Sequence, residues 1–541
     1  MTDSPRVAYF CMEYGLDHRL KTYAGGLGIL AGDILKASKD LGVPMVGIGI
    51  RWADGYTEQS IGPDGQQVDG PQDSEADGLL EDTGVEVTVQ IRGDDVRCKV
   101  WRTEAFGNVP LLLLDTALPG NPHADTTRML YGGGDEARVA QEVVLGVGGV
   151  RALRALGLDV DLYHFNEGHA LLAAFELVRE KMGGGMDYDD ALAATRDEVV
   201  FTTHTPVLAG NEEHPIERLR RIAGLDHVSD AQFDALGGSP FNMTVAALRV
   251  ARKANAVAEL HGATANEMWS SVDGRAEIVA ITNGVHRPTW VDPAMLEAAA
   301  TGGDLWAPHQ ANKRALLDFI AERTGQRLRE DRLLVGFARR AATYKRAALI
   351  FEDEAHVRPA LEEGRLQLVF SGKAHPRDEP GKAIVARLVE MARAYPQSVV
   401  FLEDYSMPIG RAMTRGADVW LNTPRRPKEA SGTSGMKAAM NGVLNLSVLD
   451  GWWPEAFDPG VNGWQIGDGF ESVDPTAHDA HDLGSLVSTL FDDVLPTYYD
   501  DRERWTSMMR ASIESTRDRF SARRMVTEYV EELYRPALAE A

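Results

Sequence analysis

The chain has 541 residues, 44% of them hydrophobic, and a formal net charge of −25. That length exceeds one ordinary core and implies two large domains, while the acidity argues against general nucleic-acid or anionic-membrane binding. The two cysteines, Cys11 and Cys98, lack C-x-x-C spacing, which argues against a disulfide framework or a zinc site and fits a reducing cytoplasm. No run of 18 apolar residues occurs, and the start M-T-D-S-P-R lacks a basic region followed by a long apolar stretch, so neither a membrane span nor a signal peptide is expected.

In chain order, V-A-Y-F-C-M at 7–12 reads as a buried strand. T-Y-A-G-G-L-G-I-L-A-G-D at 22–33 opens a helix to about Asp40, and its glycines let backbone N–H groups approach an anion. Gly26 to Ala31 also fits a loose dinucleotide pattern, but the preceding strand lies about ten residues too early, which weakens that reading. Residues 85–91 and 97–102 alternate around Gly93-Asp94-Asp95 as a hairpin, and V-P-L-L-L-L at 109–114 is a strand. A long helix follows 130–142, with Gly146, Gly148 and Gly149 read as packing positions.

Strand 160–165 ends in H-F-N-E-G-H; His164 and His169 read as a satisfied structural pair, since no third metal ligand follows at helical spacing. Strand 198–203 delivers His204-Thr205-Pro206 at its C-terminal end, the edge where open α/β sheets bind ligands. Residues 244–261 read as one amphipathic helix stopped by Gly262, and strand 278–281 leads to Thr282-Asn283-Gly284-Val285. A composition shift at 286–308 reads as an interdomain linker.

Strand 332–338 delivers R-R-A-A-T-Y-K-R at 339–346, and R-R-P-K follows at 425–428. Such cation islands in an acidic chain imply either a local anion or a face paired to carboxylates; position at a strand end favours an anion for the first. Strands 366–371, 398–402 and 418–421 continue the alternation with helices. Trp452, Trp453 and Trp464 read as packing rather than sugar platforms, and 500–541 as charged helix.

K-E-A-S-G-T-S-G-M-K at 428–437 carries the most information. Hydroxyl and glycine residues suit a helix start, whose free N–H groups and dipole form an anion site. Lys437, just inside in apolar company, would lose hydration and titrate low, as a lysine that condenses with an aldehyde must. A phosphate cradle beside such a lysine points to pyridoxal phosphate; a glycine-rich loop with a solvated lysine is the other reading.

That string resembles the cofactor segment of the α-glucan (glycogen, maltodextrin) phosphorylases, E-A-S-G-T-G-N-M-K, with Ser434-Gly435 in place of Gly-Asn. The resemblance extends over spaced motifs from about 6 to 470: Glu13-Tyr14-Gly15, the glycine loop, Asn166-Glu167 with His169, His204, Asn283-Gly284, the basic pair, Gly372-Lys373-Ala374 and Glu403-Asp404-Tyr405. It implies that Lys437 holds pyridoxal phosphate, with Thr433, Ser434, Arg339 and Tyr405 on the cofactor. Arg340 and Lys345 would clamp inorganic phosphate, with Gly26 N–H as a further donor. Glu429, Ser431, Gly432, Asn283, His204 and Glu167 would face the sugar, the carbonyl of His204 lying toward the anomeric carbon. Glu167 replaces the family's aspartate.

The implied architecture is α/β: two doubly wound, Rossmann-like domains facing a cleft, of glycosyltransferase-B type. An N-terminal domain at 1–290, a cofactor domain at 291–510 and a helix at 511–541 crossing back are expected. The implied activity is phosphorolysis of terminal α-1,4-glucosyl units of glycogen or maltodextrin to glucose 1-phosphate with retention, without allosteric control or metal; a homodimer stays open. A retaining nucleotide-sugar glycosyltransferase of the same fold is the alternative. Such enzymes often place a second glutamate eight residues after the first, where this chain has Lys437.

Overall fold

The computed structural model describes residues 4–72 and 78–539. It forms two compact units, one of Met1–Tyr56, Pro71–Thr282 and Ala522–Ala541, the other of Thr57–Gly70 and Asn283–Ser521.

In the first unit, a nine-stranded sheet comprises β1 (Val7–Phe10), β2 (Met45–Ile50), β3 (Glu81–Ile91), β4 (Asp94–Thr103), β5 (Leu111–Asp115), β6 (Leu162–Asn166), β7 (Val199–Thr202), β8 (Lys253–Ala256) and β9 (Ile278–Ala280). Their order is β9-β8-β7-β6-β1-β2-β5-β4-β3. All neighbours are parallel except at β3–β4 and β4–β5. Central strands such as VAYF and VVFT are buried along their length, as a sheet covered on both faces requires. The expected hairpin is an antiparallel edge extension. It turns at Arg92-Gly93, both with positive φ, the conformation of a two-residue turn matched to strand twist.

One expectation fails. The predicted helix over 244–261 is instead a helix at Met243–Val250, strand β8, and a second helix at Glu259–Met268 with Gly262 inside it. Its alanines favour helix locally, yet Ala254 and Ala256 lie fully buried between β7 and β9. Asn255 Oδ1 there accepts the Thr202 hydroxyl at 2.6 Å. Pairing and burial override propensity. Gly262 marks close packing, since a Cβ would come within 2.9 Å of Ala280 Cβ.

The three helix glycines do serve packing: a Cβ at Gly146 would meet Ala173 N at 2.4 Å, and one at Gly149 would meet Phe10 at 2.6 Å. His164 is a satisfied structural histidine, bonded to Thr202 Oγ1 (2.6 Å) and Tyr534 Oη (2.8 Å). His169 is not its counterpart, because its buried Nδ1 has no partner.

The second unit contains β10 (Leu333–Ala338), β11 (Leu366–Ser371), β12 (Val399–Leu402), β13 (Val419–Asn422), β14 (Leu444–Val448) and β15 (Gly463–Ile466). All are parallel, in the order β12-β11-β10-β13-β14-β15. This is the doubly wound 3-2-1-4-5-6 order, with its reversal between β10 and β13. The parallel strands of the first unit follow the same order, reversing between β1 and β6. The stretch 286–308, expected as a linker, is helical at Arg287–Trp290 and Pro293–Thr301 and enters a third helix at Trp306; Trp290 and Met295 are fully buried. Trp452, Trp453 and Trp464 are buried, as the packing reading requires.

Candidate active site

Doubly wound sheets bind ligands beyond the C-terminal strand ends, where the order reverses. In the first unit those ends are Phe10 and Asn166. Three residues past β1, Glu13 accepts N–H groups from Ala24 (2.7 Å) and Gly25 (3.1 Å), and the Tyr131 hydroxyl donates to its other oxygen at 2.7 Å. Glu13 thereby fixes the glycine loop that starts helix α1 (Gly26–Leu41). A Cβ at Gly25 or Gly26 would meet no atom within 4 Å, whereas one at Gly32 would lie 2.2 Å from Gly15 O. Gly25 and Gly26 are therefore not required by packing, whereas a Cβ at Gly28 would lie 2.7 Å from Glu13 Oε2 and from Tyr23 Cβ.

Beyond β6, Glu167 has φ 71° and ψ 169°, a conformation that non-glycine residues hold at a cost of about 1–3 kcal/mol and that clusters at functional sites. Its carboxylate accepts the His204 N–H and, at 3.0 Å, the Thr205 hydroxyl. Burial raises its pKa against those hydrogen bonds. The His204 ring meets Asn166 Oδ1 at 2.6 Å, and burial lowers its pKa to about 3, so the imidazole is neutral at ordinary pH. Asn166, Glu167 and His204 form one hydrogen-bonded group at the reversal of the sheet.

In the second unit, Arg339 directly follows β10 and Asn422 ends β13, the two strands flanking the reversal. Arg339 Nη1 donates to Asn422 Oδ1, and Nη2 donates to Glu429 Oε1 at 2.8 Å. Lys345 Nζ meets the other Glu429 oxygen at 2.5 Å. Those two cations hold the buried Glu429 carboxyl down at about 2 against desolvation. Arg340 is the exposed member of the basic pair. The backbone of Arg339 is placed by close strand packing, since a Cβ at Gly372 would lie 2.0 Å from Arg339 O.

Glu429 is itself fixed by a staple to the end of β14. Its N–H donates to Asp450 Oδ2 (2.9 Å), and Trp452 N–H donates to Ser431 O (2.9 Å). Helix α2 (Thr433–Met440) begins after Gly432, which is left-handed at φ 89°, and no side chain caps it. A Cβ at Gly432 would lie 3.6 Å from Arg339 Nη2, so this helix start faces the guanidinium. Ser434 Oγ accepts from Trp420 Nε1 at 3.2 Å. Lys437 is buried with Nζ 3.5 Å from the Trp290 ring centre. Burial pushes the Tyr405 phenol up to about 12 while the field of Arg339 opposes it. Asn283 is buried at the start of the second unit.

These residues fit pyridoxal phosphate: a buried amine, an uncapped helix start, an arginine against it, and a buried Ser431 hydroxyl with no partner. The family's asparagine does not fit at 435, because a Cβ on Gly435 would lie 2.7 Å from Asn445 Oδ1 and 2.9 Å from Trp452 Nε1. The second cation island is a carboxylate-paired face: Arg425 is bidentate to Asp479 and Arg426 pairs with Glu471. Arg346 likewise binds Asp479 and Asp482.

Sequence reasoning missed the roles of Glu13, Tyr131, Asn422 and Asp450. Asp450 lies two residues past a strand end on the ligand edge, a position that could have marked it.

Residues 293–455 match the family model described as carbohydrate phosphorylase. The chain is 40% identical to the maltodextrin phosphorylase of Thermococcus litoralis, over 99% of this chain and 71% of that protein. It is 34% identical to the glycogen phosphorylase of Aquifex aeolicus, over 99% and 87%. An uncharacterized protein of Methanocaldococcus jannaschii is 36% identical over 98% of this chain and 99% of its own length.

Proposed function

This chain belongs to the carbohydrate phosphorylase family, and from that premise we propose that it cleaves terminal α-1,4-glucosyl units from glycogen or maltodextrin with inorganic phosphate, giving glucose 1-phosphate with retained configuration. The observation that carries this reading is the Arg339–Glu429–Lys345 group at the sheet reversal, beside a helix start that leads to a buried lysine.

Pyridoxal phosphate, when bound, supplies a phosphate group that relays a proton to and from inorganic phosphate. Lys437 would hold that cofactor through its aldehyde carbon, Tyr405 would contact it, and Arg339 with the N–H and hydroxyl groups of Thr433 and Ser434 would hold its phosphate. Lys345 and Arg340 take inorganic phosphate, the lysine as a point charge and the arginine as a fork. The Gly26 N–H adds a donor. Glu429, ionised well below neutral pH, keeps Arg339 and Lys345 oriented before an anion arrives, so little reorganisation remains for the reaction step. With Ser431, Gly432 and Asn283, it also accepts hydroxyls of the terminal sugar.

Inorganic phosphate protonates the departing glycosidic oxygen, then attacks the anomeric carbon from the face that oxygen left, which retains configuration. The neutral His204 imidazole adds no positive charge near the oxocarbenium-like centre, and its hydrogen bonds to Glu167 and Asn166 hold the residue whose backbone carbonyl faces that centre in this reading. A cytoplasmic setting is part of the proposal, supported by two buried, unpaired cysteines.

The test is incubation of the holoenzyme with maltodextrin, with and without inorganic phosphate. α-Glucose 1-phosphate forming only with phosphate supports the reading. Free glucose released by water, or no turnover in either mixture, overturns it.

A further inference from the structure

In the first unit, near Glu167 and His169 but among residues given no part in the reaction, three ligand-type side chains converge. Glu142 lies near the end of the helix Asp135–Val143, and Glu212 and His214 lie at the short strand Glu213–His214, which pairs with Phe241–Asn242. One ligand atom from each lies within 4.8 Å of the others, and His214 Nε2 is 3.9 Å from Glu142 Oε2.

Glu142 is 0% exposed and His214 is 3% exposed, yet neither His214 nitrogen has a hydrogen-bond partner, and the Glu142 carboxyl, with no donor group on it, meets the Glu212 carboxyl instead. Glu212 Oε2 is also unpartnered, while its other oxygen is 3.0 Å from Arg138 Nε. Buried carboxylates and imidazoles are ordinarily partnered, and a fully buried charge is costly unless paired or bound to a metal. Arg138 offsets one carboxylate and leaves the other. A shared proton between Glu142 and Glu212 would satisfy one contact and leave the imidazole bare. A cation would engage all three residues at once.

We propose that Glu142, Glu212 and His214 bind a divalent transition-metal ion. Two carboxylates and one imidazole are a donor set suited to Zn²⁺ or Mn²⁺. With metal–ligand bonds of about 2.0–2.2 Å, the three side chains close by roughly an ångström on binding. The ion is structural. It ties the helix carrying Glu142 to the segment that leaves His204 and reaches Glu212, and Glu212 already contributes to the field at Glu167 and His169. Sequence spacing hides the site, because 142 lies 70 residues from 212.

The test uses the full chain, stripped with a chelator and titrated with Zn²⁺ and, separately, Mn²⁺, reading bound metal per chain and the melting temperature. One equivalent of either ion, with a rise in melting temperature, is the expected result. Glu212→Gln changes a partly exposed side chain and is expected to fold, as judged by its circular dichroism, and to bind at least tenfold more weakly; His214→Ala should do the same. No saturable binding by the unaltered chain, the result if the groups share a proton or ordered water, overturns the proposal. So does equal binding by Glu212→Gln, which would put the metal elsewhere.

Discussion

The backbone N–H of Glu429 donates to Asp450 Oδ2 at 2.9 Å, so two buried carboxyl groups stand together in the second unit. Arg339 and Lys345 hold Glu429 near 2, whereas burial and the charge of Glu429 push Asp450 up to about 7. Environments that separate two like groups assign them different roles: one is a permanent anion, the other a neutral brace at mildly acid pH.

A pH signature follows from Asp450. Its folded value is above its ordinary 3.8, so its stabilisation is complete below 3.8 and is lost as pH rises through about 7. Asp450→Asn mimics the neutral acid but gives up one acceptor, at a cost of about 1–3 kcal/mol. The stability gap between the two proteins should narrow with rising pH by up to about 1.4 kcal/mol per unit across that window and reverse toward its upper end. Denaturant unfolding at several pH values measures it, and a pH-independent gap would count against a neutral Asp450.

Lys345→Ala leaves Glu429 with Arg339 alone. Phosphate use should fall at least tenfold in kcat/KM, about 1.4 kcal/mol or more, while cofactor content, read by absorbance, stays at that of the unaltered enzyme. Unchanged phosphate kinetics would remove Lys345 from the clamp.

Two glycines of one helix separate function from packing. Gly26→Ala meets no atom within 4 Å. It should melt within a few degrees of the parent but lose turnover through a blocked approach to the anion. Gly32→Ala drives its Cβ to 2.2 Å from Gly15 O and should lose about 1–3 kcal/mol of stability. Full activity in Gly26→Ala would refute the loop's assigned part.

Borohydride reduction of the holoenzyme followed by peptide mapping should place the modified residue at Lys437. Lys437→Ala should bind no reducible cofactor. Label at any other lysine would reject the site.

The unit architecture was legible because its signals are local. Runs such as V-A-Y-F and L-L-V-G-F-A carry the apolar pattern of strands buried on both faces, and E-A-S-G-T-S-G-M-K carries both a helix start and a lysine in apolar company. Where local signal and tertiary context disagreed, the reading failed. The alanines around Asn255 spell helix, and only pairing with β7 and β9 makes them a strand.

The sequence alone determined which segments are strands and helices in most of the chain, which residues stand at strand ends, and which lysine stands in apolar company just inside a helix start. These depend on neighbours within a few positions. Tertiary structure decided that Glu13 carries the glycine loop, that Arg425 and Arg426 are carboxylate-paired, that Asp450 braces Glu429, and that Glu142 meets Glu212 and His214. Each of those is an electrostatic or packing relation between residues distant in the chain, and its energy exists only once folding removes the water between them.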